Sequence, residues 1–126
     1  MSFTNYLETE ILDHVFGGNA YTAPGTHYLA LYTAAPGETG GGTECSGTSY
    51  ARTAVTFTVS GNEATNSAAV EFPTAGSNWG TITHVGVFDA ASSGNLMAYG
   101  TLTASKAVES GDVFRVPAGD LDITLD

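Results

Sequence analysis

Few side chains in this sequence could do chemistry, and they are scattered. There are three histidines (His14, His27 and His84), one cysteine (Cys45) and thirteen Asp and Glu residues among many hydroxyls. A hydrolase nucleophile elbow needs Gly-x-Ser-x-Gly to lift its serine on a strained turn, and no such pentapeptide occurs. His-Glu-x-x-His, paired Cys-x-x-Cys and a phosphate-cradling loop are also missing. The histidines show no metal-ligand spacing. His14 falls at the end of a helical pattern, where the helix dipole favours its cationic form. His27 starts a strand and reads as solvated, while His84 shares a face with Ile82 and Phe88 and reads as a hydrogen-bonded core histidine. Cys45 lies in a Gly/Ser/Thr-rich stretch and reads as a plain loop thiol. Asp120, Asp122 and Asp126 alternate along the final segment. Calcium takes about six to eight oxygens, usually from a curled loop, so these carboxylates read instead as a wet strand face guarding a sheet edge. Six tyrosines (Tyr6, Tyr21, Tyr28, Tyr32, Tyr50, Tyr99) would make a sugar platform if clustered outside, but most read as core or interface aromatics. No catalytic residue, metal or cofactor is expected.

The elements that must position these side chains are mostly short strands. In the last segment Leu121, Ile123 and Leu125 fall on one face, with Asp120, Asp122, Thr124 and Asp126 on the other. Period-two alternation describes a strand with one buried and one wet face. Residues 2 to 16 break that rhythm. Phe3, Leu7, Ile11 and Val15 recur every four residues, and Leu12 and Phe16 widen the stripe. Ser2 or Thr4 can cap the start and Gly17-Gly18 ends it, so an amphipathic helix over about 2–16 is expected. It would cover an open end or face of a sheet, or serve as a partner-binding arm.

Residues 27 to 33 are apolar on both faces, which suits a mid-sheet strand. Residues 34 to 49 hold Pro36 and five glycines with almost nothing apolar. They read as a long exposed loop, a candidate for partner contact or a calcium-loving tip. From Tyr50 on, Ala51, Thr53, Val55, Phe57 and Val59 share one face. Gly61-Asn62 turns the chain, Ala68, Val70 and Phe72 form a short strand that Pro73 stops, and a second loop carries Trp79. Residues 81 to 103 read as a central hairpin turning through Asp89 and Ser92 to Asn95. Gly86 and Gly100 sit inside its strands and need a bulky cover, for which Trp79 and Tyr99 are candidates. Val113 to Val116 precede the last strand. One domain over 1–126 is expected, mainly β: an antiparallel β-sandwich or jelly-roll-like barrel of seven to eight strands over about 27–126.

Charge narrows the partners. Three basic residues (Arg52, Lys106, Arg115) stand against thirteen acidic ones, for a net charge of −10. Direct nucleic-acid binding is disfavoured because it rests on Lys and Arg neutralising phosphates. An anionic membrane would repel the chain for the same reason. Solubility accounts for the excess, and a basic partner surface or bound cations is the alternative. No basic run precedes a short apolar stretch at the N-terminus, and no apolar run nears the roughly 20 residues of a membrane span. A soluble protein made in the cytoplasm is expected. A lone cysteine forms no internal disulfide.

Two stretches carry a family resemblance. One runs Leu12-Asp13-His14-Val15-Phe16-Gly17-Gly18, Tyr21-Thr22-Ala23-Pro24 and Tyr28-Leu29-Ala30-Leu31-Tyr32-Thr33, then Thr43-Glu44, Tyr50-Ala51-Arg52 and Ala54-Val55-Thr56-Phe57. The other runs Trp79 to Asp89, Gly94-Asn95-Leu96, Ala98-Tyr99-Gly100 and Ala118 to Leu125. Together they resemble a family of small tailed-phage and prophage structural proteins, often labelled tail fibre proteins. A compact β domain without fibrous repeat also resembles the cement, or decoration, proteins of phage heads. The resemblance implies no enzymatic residues. It implies a virion component assembled in the host cytoplasm: first a homotrimeric decoration protein that clamps the major capsid protein, alternatively a tail fibre or tail-tip component that recognises a host surface such as a glycan. Phe3, Leu7, Ile11, Glu44, Tyr50 and Trp79 are the expected partner-contact residues.

Overall fold

The computed structural model describes residues 1–125, so Asp126, expected on the wet face of the last strand, lies outside the described residues. Chain order is β1 (Ser2–Phe3), α1 (Asn5–Val15), β2 (His27–Ala34), β3 (Thr43–Glu44), β4 (Thr53–Val55), β5 (Phe57–Ser60), β6 (Glu63–Asn66), β7 (Val70–Glu71), β8 (Gly80–Phe88), β9 (Leu96–Val108), β10 (Arg115–Val116) and β11 (Asp122–Thr124). The protein is mainly β, and every strand pair is antiparallel. The largest sheet runs β1-β9-β8-β2-β3, with β4 also on β2. A three-stranded sheet, β11-β6-β5, and the β10-β7 pair complete it. The large sheet and the β10-β7 pair feed one core through Leu29, Leu31, Val55, Val70, Ile82, Val85, Val87 and Val116, with Phe72, Phe114 and Leu121 from the connections. The three-stranded sheet packs against it through the partly buried Phe57 and Ile123. Such shared burial is the main source of stability in a chain with little regular helix.

The strands outnumber the seven or eight expected because short ones form at Ser2–Phe3, Thr43–Glu44 and Glu63–Asn66, and because the run from Tyr50 is divided. β4 pairs with β2 of the large sheet, whereas β5 pairs with β6 of the small one. The chain changes sheets at Thr56, so period-two alternation does not survive it. Val55 is buried, while Val59 is 72% exposed. Switching sheets in this way is how corners of orthogonally packed sheets form.

The helix starts later than its apolar spacing predicts. Thr4 has an extended backbone, and its hydroxyl accepts the Leu7 N–H at 3.5 Å, as an N-cap does. That hydroxyl also donates to the Leu96 carbonyl at 2.6 Å, and the Thr4 N–H donates to Met97 O at 2.9 Å. Ser2 and Phe3 are thereby drawn into pairing with Tyr99 and Ala98, as a strand and not a first helical turn. Of the apolar stripe only Leu7 is buried; Leu12, Val15 and Phe16 stay exposed, Phe16 at 84%.

Residues 34 to 49 are not a wholly exposed loop. Thr43 and Glu44 pair with Ala34 and Tyr32, and the Cys45 N–H reaches Leu31 O at 2.7 Å. Those bonds pull Cys45 into the core. Its Sγ–H donates to Trp79 O at 3.5 Å, and burial pushes the thiol up to about 11, which keeps it protonated and unreactive at neutral pH.

The central hairpin is present, but its pattern is interrupted. Ile82 pairs with Lys106 and His84 with Thr101, so Leu102 to Ser105 bulge out of β9 between them. Ile82, Val85 and Val87 therefore reach the main core, and His84 does not share the Ile82 face. It is half-buried and hydrogen-bonds Thr83 Oγ1 at 2.7 Å. His27 is not fully solvated either: its ring meets Phe57 edge-on at 6.0 Å, and burial lowers its pKa. The interior glycines do have covers, though not Trp79 or Tyr99. A Cβ on Gly86 would stand 2.6 Å from Leu96 Cδ1, and one on Gly100 would stand 2.8 Å from Met1 Cγ.

Candidate functional site

The six expected contact residues divide into three places. Trp79 lies inside the protomer at 3% exposure. Its indole N–H donates to Thr48 O at 3.1 Å, and its ring meets Tyr50 edge-on at 5.3 Å. Its role is to anchor the loop at 46–49, and so enclosed a ring offers almost no surface for contact.

Glu44 and Tyr50 belong to a polar clasp beside β3 and β4, with the Tyr50 ring against the main core. The Arg52 guanidinium donates to both Glu44 carboxylate oxygens, at 2.8 and 2.9 Å. The Tyr50 hydroxyl donates to Glu44 Oε2 at 2.8 Å and accepts the Leu31 N–H at 3.1 Å. Arg52 also donates to Ala90 O at 3.1 Å and Ser93 O at 2.7 Å, and lies 3.5 Å over the Phe88 ring. Burial, together with the Glu44 contact, raises the Tyr50 pKa, so its proton stays in place. A bidentate pair with cation–π support is strong, but every donor of the clasp already has a partner within the protomer. The clasp holds three segments together and offers no free nucleophile.

Phe3, Leu7 and Ile11 lie beside an apolar groove between α1 and the three-stranded sheet. Phe3, Leu7, Phe57, Val59, Met97 and Leu125 are among the residues lining its roughly 320 Å³. Among the described residues, Glu63 is the one carboxylate on its wall and His27 the one imidazole. A shallower cavity bounded by Phe3, Ile11, Leu12 and Leu125 continues it toward the helix. The sequence signal for this surface was the helical stripe. Val59 and Leu125 were missed because alternation placed both inward, and only the sheet switch and the strand end leave Val59 at 72% and Leu125 at 50% exposure. Leu121 is buried and Ile123 half-buried, so the last strand rises out of the core along its length.

Among the described residues, no three His, Cys, Asp or Glu side chains come close enough to hold a metal ion. No helix is long and apolar enough to cross a membrane. What remains is a rigid β scaffold with surface features, and its sequence matches one family along almost its entire length. The match, over residues 2–124, is to the podophage GP4 fiber I protein gp80. The chain belongs to that family. Membership in this phage fibre family makes the protein a structural component of the virion. No curated protein matches the chain.

Proposed function

We propose that this member of the fibre I family is a subunit of a phage tail fibre, acting as one β unit that assembles with copies of itself, as a homotrimer. The family match over residues 2–124 carries this reading. The apolar groove supports self-assembly on charge grounds. Two chains that each carry −10 repel, and contact is least opposed where carboxylates are fewest. That groove, lined mostly by apolar side chains and with Glu63 as its one carboxylate among the described residues, is such a place. Phe3 then contributes to the contact, Val59 and Leu125 form its rim, and Ile11 lies in the adjoining cavity beside Glu8 and Glu38.

Substituting Val59 by Asp tests the contact. Val59 is so exposed that the fold should lose no more than about 0.5 kcal/mol. A charge at an apolar interface should nonetheless raise the dissociation constant by about tenfold or more. Light scattering coupled to size exclusion reads the mass, and a wild-type chain that stays monomeric at high concentration would remove this face from the reading.

A head decoration role is the second reading, favoured by the shared core that makes this a compact scaffold without a rod-like repeat. Its partner would be the major capsid protein. Quantitative mass spectrometry of purified virions separates the two. A handful of copies, labelled at the tail by immunogold, is the expected result. A ratio near that of the major capsid protein would replace the fibre by the decoration role, and absence from the particle would sink both.

A further inference from the structure

A second concavity, of opposite character to the apolar groove, opens where the start of α1 meets the loop around Glu38 and the β8–β9 turn. It has about 320 Å³, bounded by Asn5, Tyr6, Glu38, Thr39 and Asn95 over a floor of Phe88 and Leu96. Its walls are fixed before any ligand arrives. The Asn5 N–H donates to Glu38 O at 3.0 Å, and the Tyr99 hydroxyl donates to Glu38 Oε1 at 2.9 Å. On the opposite side Asp89 accepts the Asn95 N–H at 2.7 Å and its side-chain amide at 3.0 Å. Arg52 pins Ser93 O from below, which gives the clasp a purpose beyond stability: it holds one wall of this cavity. A preformed wall spares the ordering penalty that weakens loop-built sites.

The walls keep hydrogen-bonding capacity in hand. Among the described residues, Glu38 Oε2, the Asn5 amide, the Thr39 hydroxyl and Asn95 Oδ1 bond to no protein group. They form a mixed set of donors and acceptors beside the Tyr6 ring and an apolar floor. The geometry points to a binding site for a neutral, hydroxyl-rich ligand, a short glycan end, with amide and carboxylate gripping hydroxyls and the half-exposed Tyr6 ring taking the C–H face of the sugar. Aromatic and apolar surface with a few fixed polar groups is the common make-up of small-ligand sites, and the volume lies at the small end of their range. Charge selects the class. An anionic sugar would meet Glu38 and the nearby Asp89, while the closest cation, Arg52, is engaged by Glu44. The Tyr6 hydroxyl registers the same field: burial first, then Glu10 and Asp89, raise its pKa.

The inference rests on the fibre reading only for where such a glycan is met, and its test is made on the isolated chain, apart from any test of position in the virion. Amide NMR of the labelled protein is followed during titration with methyl glycosides of glucose, galactose, mannose, rhamnose and N-acetylglucosamine. N-acetylneuraminic acid serves as the anionic control. Shifts at residues 38–40 and 94–96, and at the side-chain amides of Asn5 and Asn95, are expected from at least one neutral glycoside and not from the acid. Glu38→Ala should then weaken binding by about tenfold, as for loss of a charged hydrogen bond. Asn5→Ala, which removes no side-chain bond within the protomer, is the second variant and should weaken binding with the fold intact. Silence across the neutral panel, shifts confined to another surface, or unchanged binding by both variants would overturn the site.

Discussion

Replacing Trp79 with alanine is expected to lower the free energy of unfolding by about 4 kcal/mol, the range for emptying a large aromatic from a packed core. The ring is almost wholly enclosed, stacks edge-on against Tyr50, and donates to Thr48 O. A Cβ added at Gly47 would stand 2.7 Å from Trp79 Cδ1, so the loop backbone passes directly over the indole. Removing the ring therefore leaves a cavity, takes one of two donors from Thr48 O (the Gly76 N–H, at 3.0 Å, remains), and loosens the loop that the indole holds. Since domains of this size hold roughly 5–15 kcal/mol in total, the variant should be marginal at physiological temperature. Urea unfolding followed by far-UV dichroism reads the effect. A change under about 1 kcal/mol, typical of a surface site, would mean that the indole is not the core element described.

Breaking the Glu44–Arg52 clasp from one side should be nearly as damaging. Arg52→Ala removes the counter-charge of Glu44, leaving its carboxylate with the Tyr50 hydroxyl alone, and frees the Ser93 and Ala90 carbonyls and the Phe88 face at once. Loss of one partner from a largely enclosed ion pair costs about 3 kcal/mol, and Arg52 and Glu44 keep only 10% and 27% of their side-chain surface exposed. The paired variant, Arg52→Met with Glu44→Met, should lose less than the sum of its singles, because no charge is left unpaired. Hydrogen exchange should quicken in the turn from Ala90 to Gly94 in the single variant. Additive losses, or an unchanged turn, would show that the clasp does not act as a unit. Because that turn forms one wall of the polar cavity, the same variant links stability to ligand binding.

The mainly β character and the leading helix could be read from local pattern, because side-chain periodicity is imposed by the backbone itself. The central hairpin was readable for the same reason, with Asp89 and the Ser93-Gly94 pair marking its turn. The spacing of Phe3 fits a helix, so local pattern places the helical start a turn too early. A hydroxyl bond from Thr4 to a carbonyl 92 residues away decides otherwise. With small, polar neighbours, Cys45 reads as a loop residue. A two-residue ladder on β2 carries it inward, and ladders that short leave no periodic signature.

By itself, then, the sequence determined the fold class, the lack of any catalytic motif, the acidic balance and the family resemblance. These depend on composition, spacing and short motifs, which need no knowledge of distant partners. Only the tertiary structure decided where surfaces form. The switch between sheets at Thr56 turned Val59 outward, and the bulge after Thr101 turned His84 off the Ile82 face. The core claimed Trp79 for the protomer, and three separate segments met to make the polar cavity. Each of these rests on pairing between residues far apart in the chain, and a local pattern carries no record of the register in which distant strands meet.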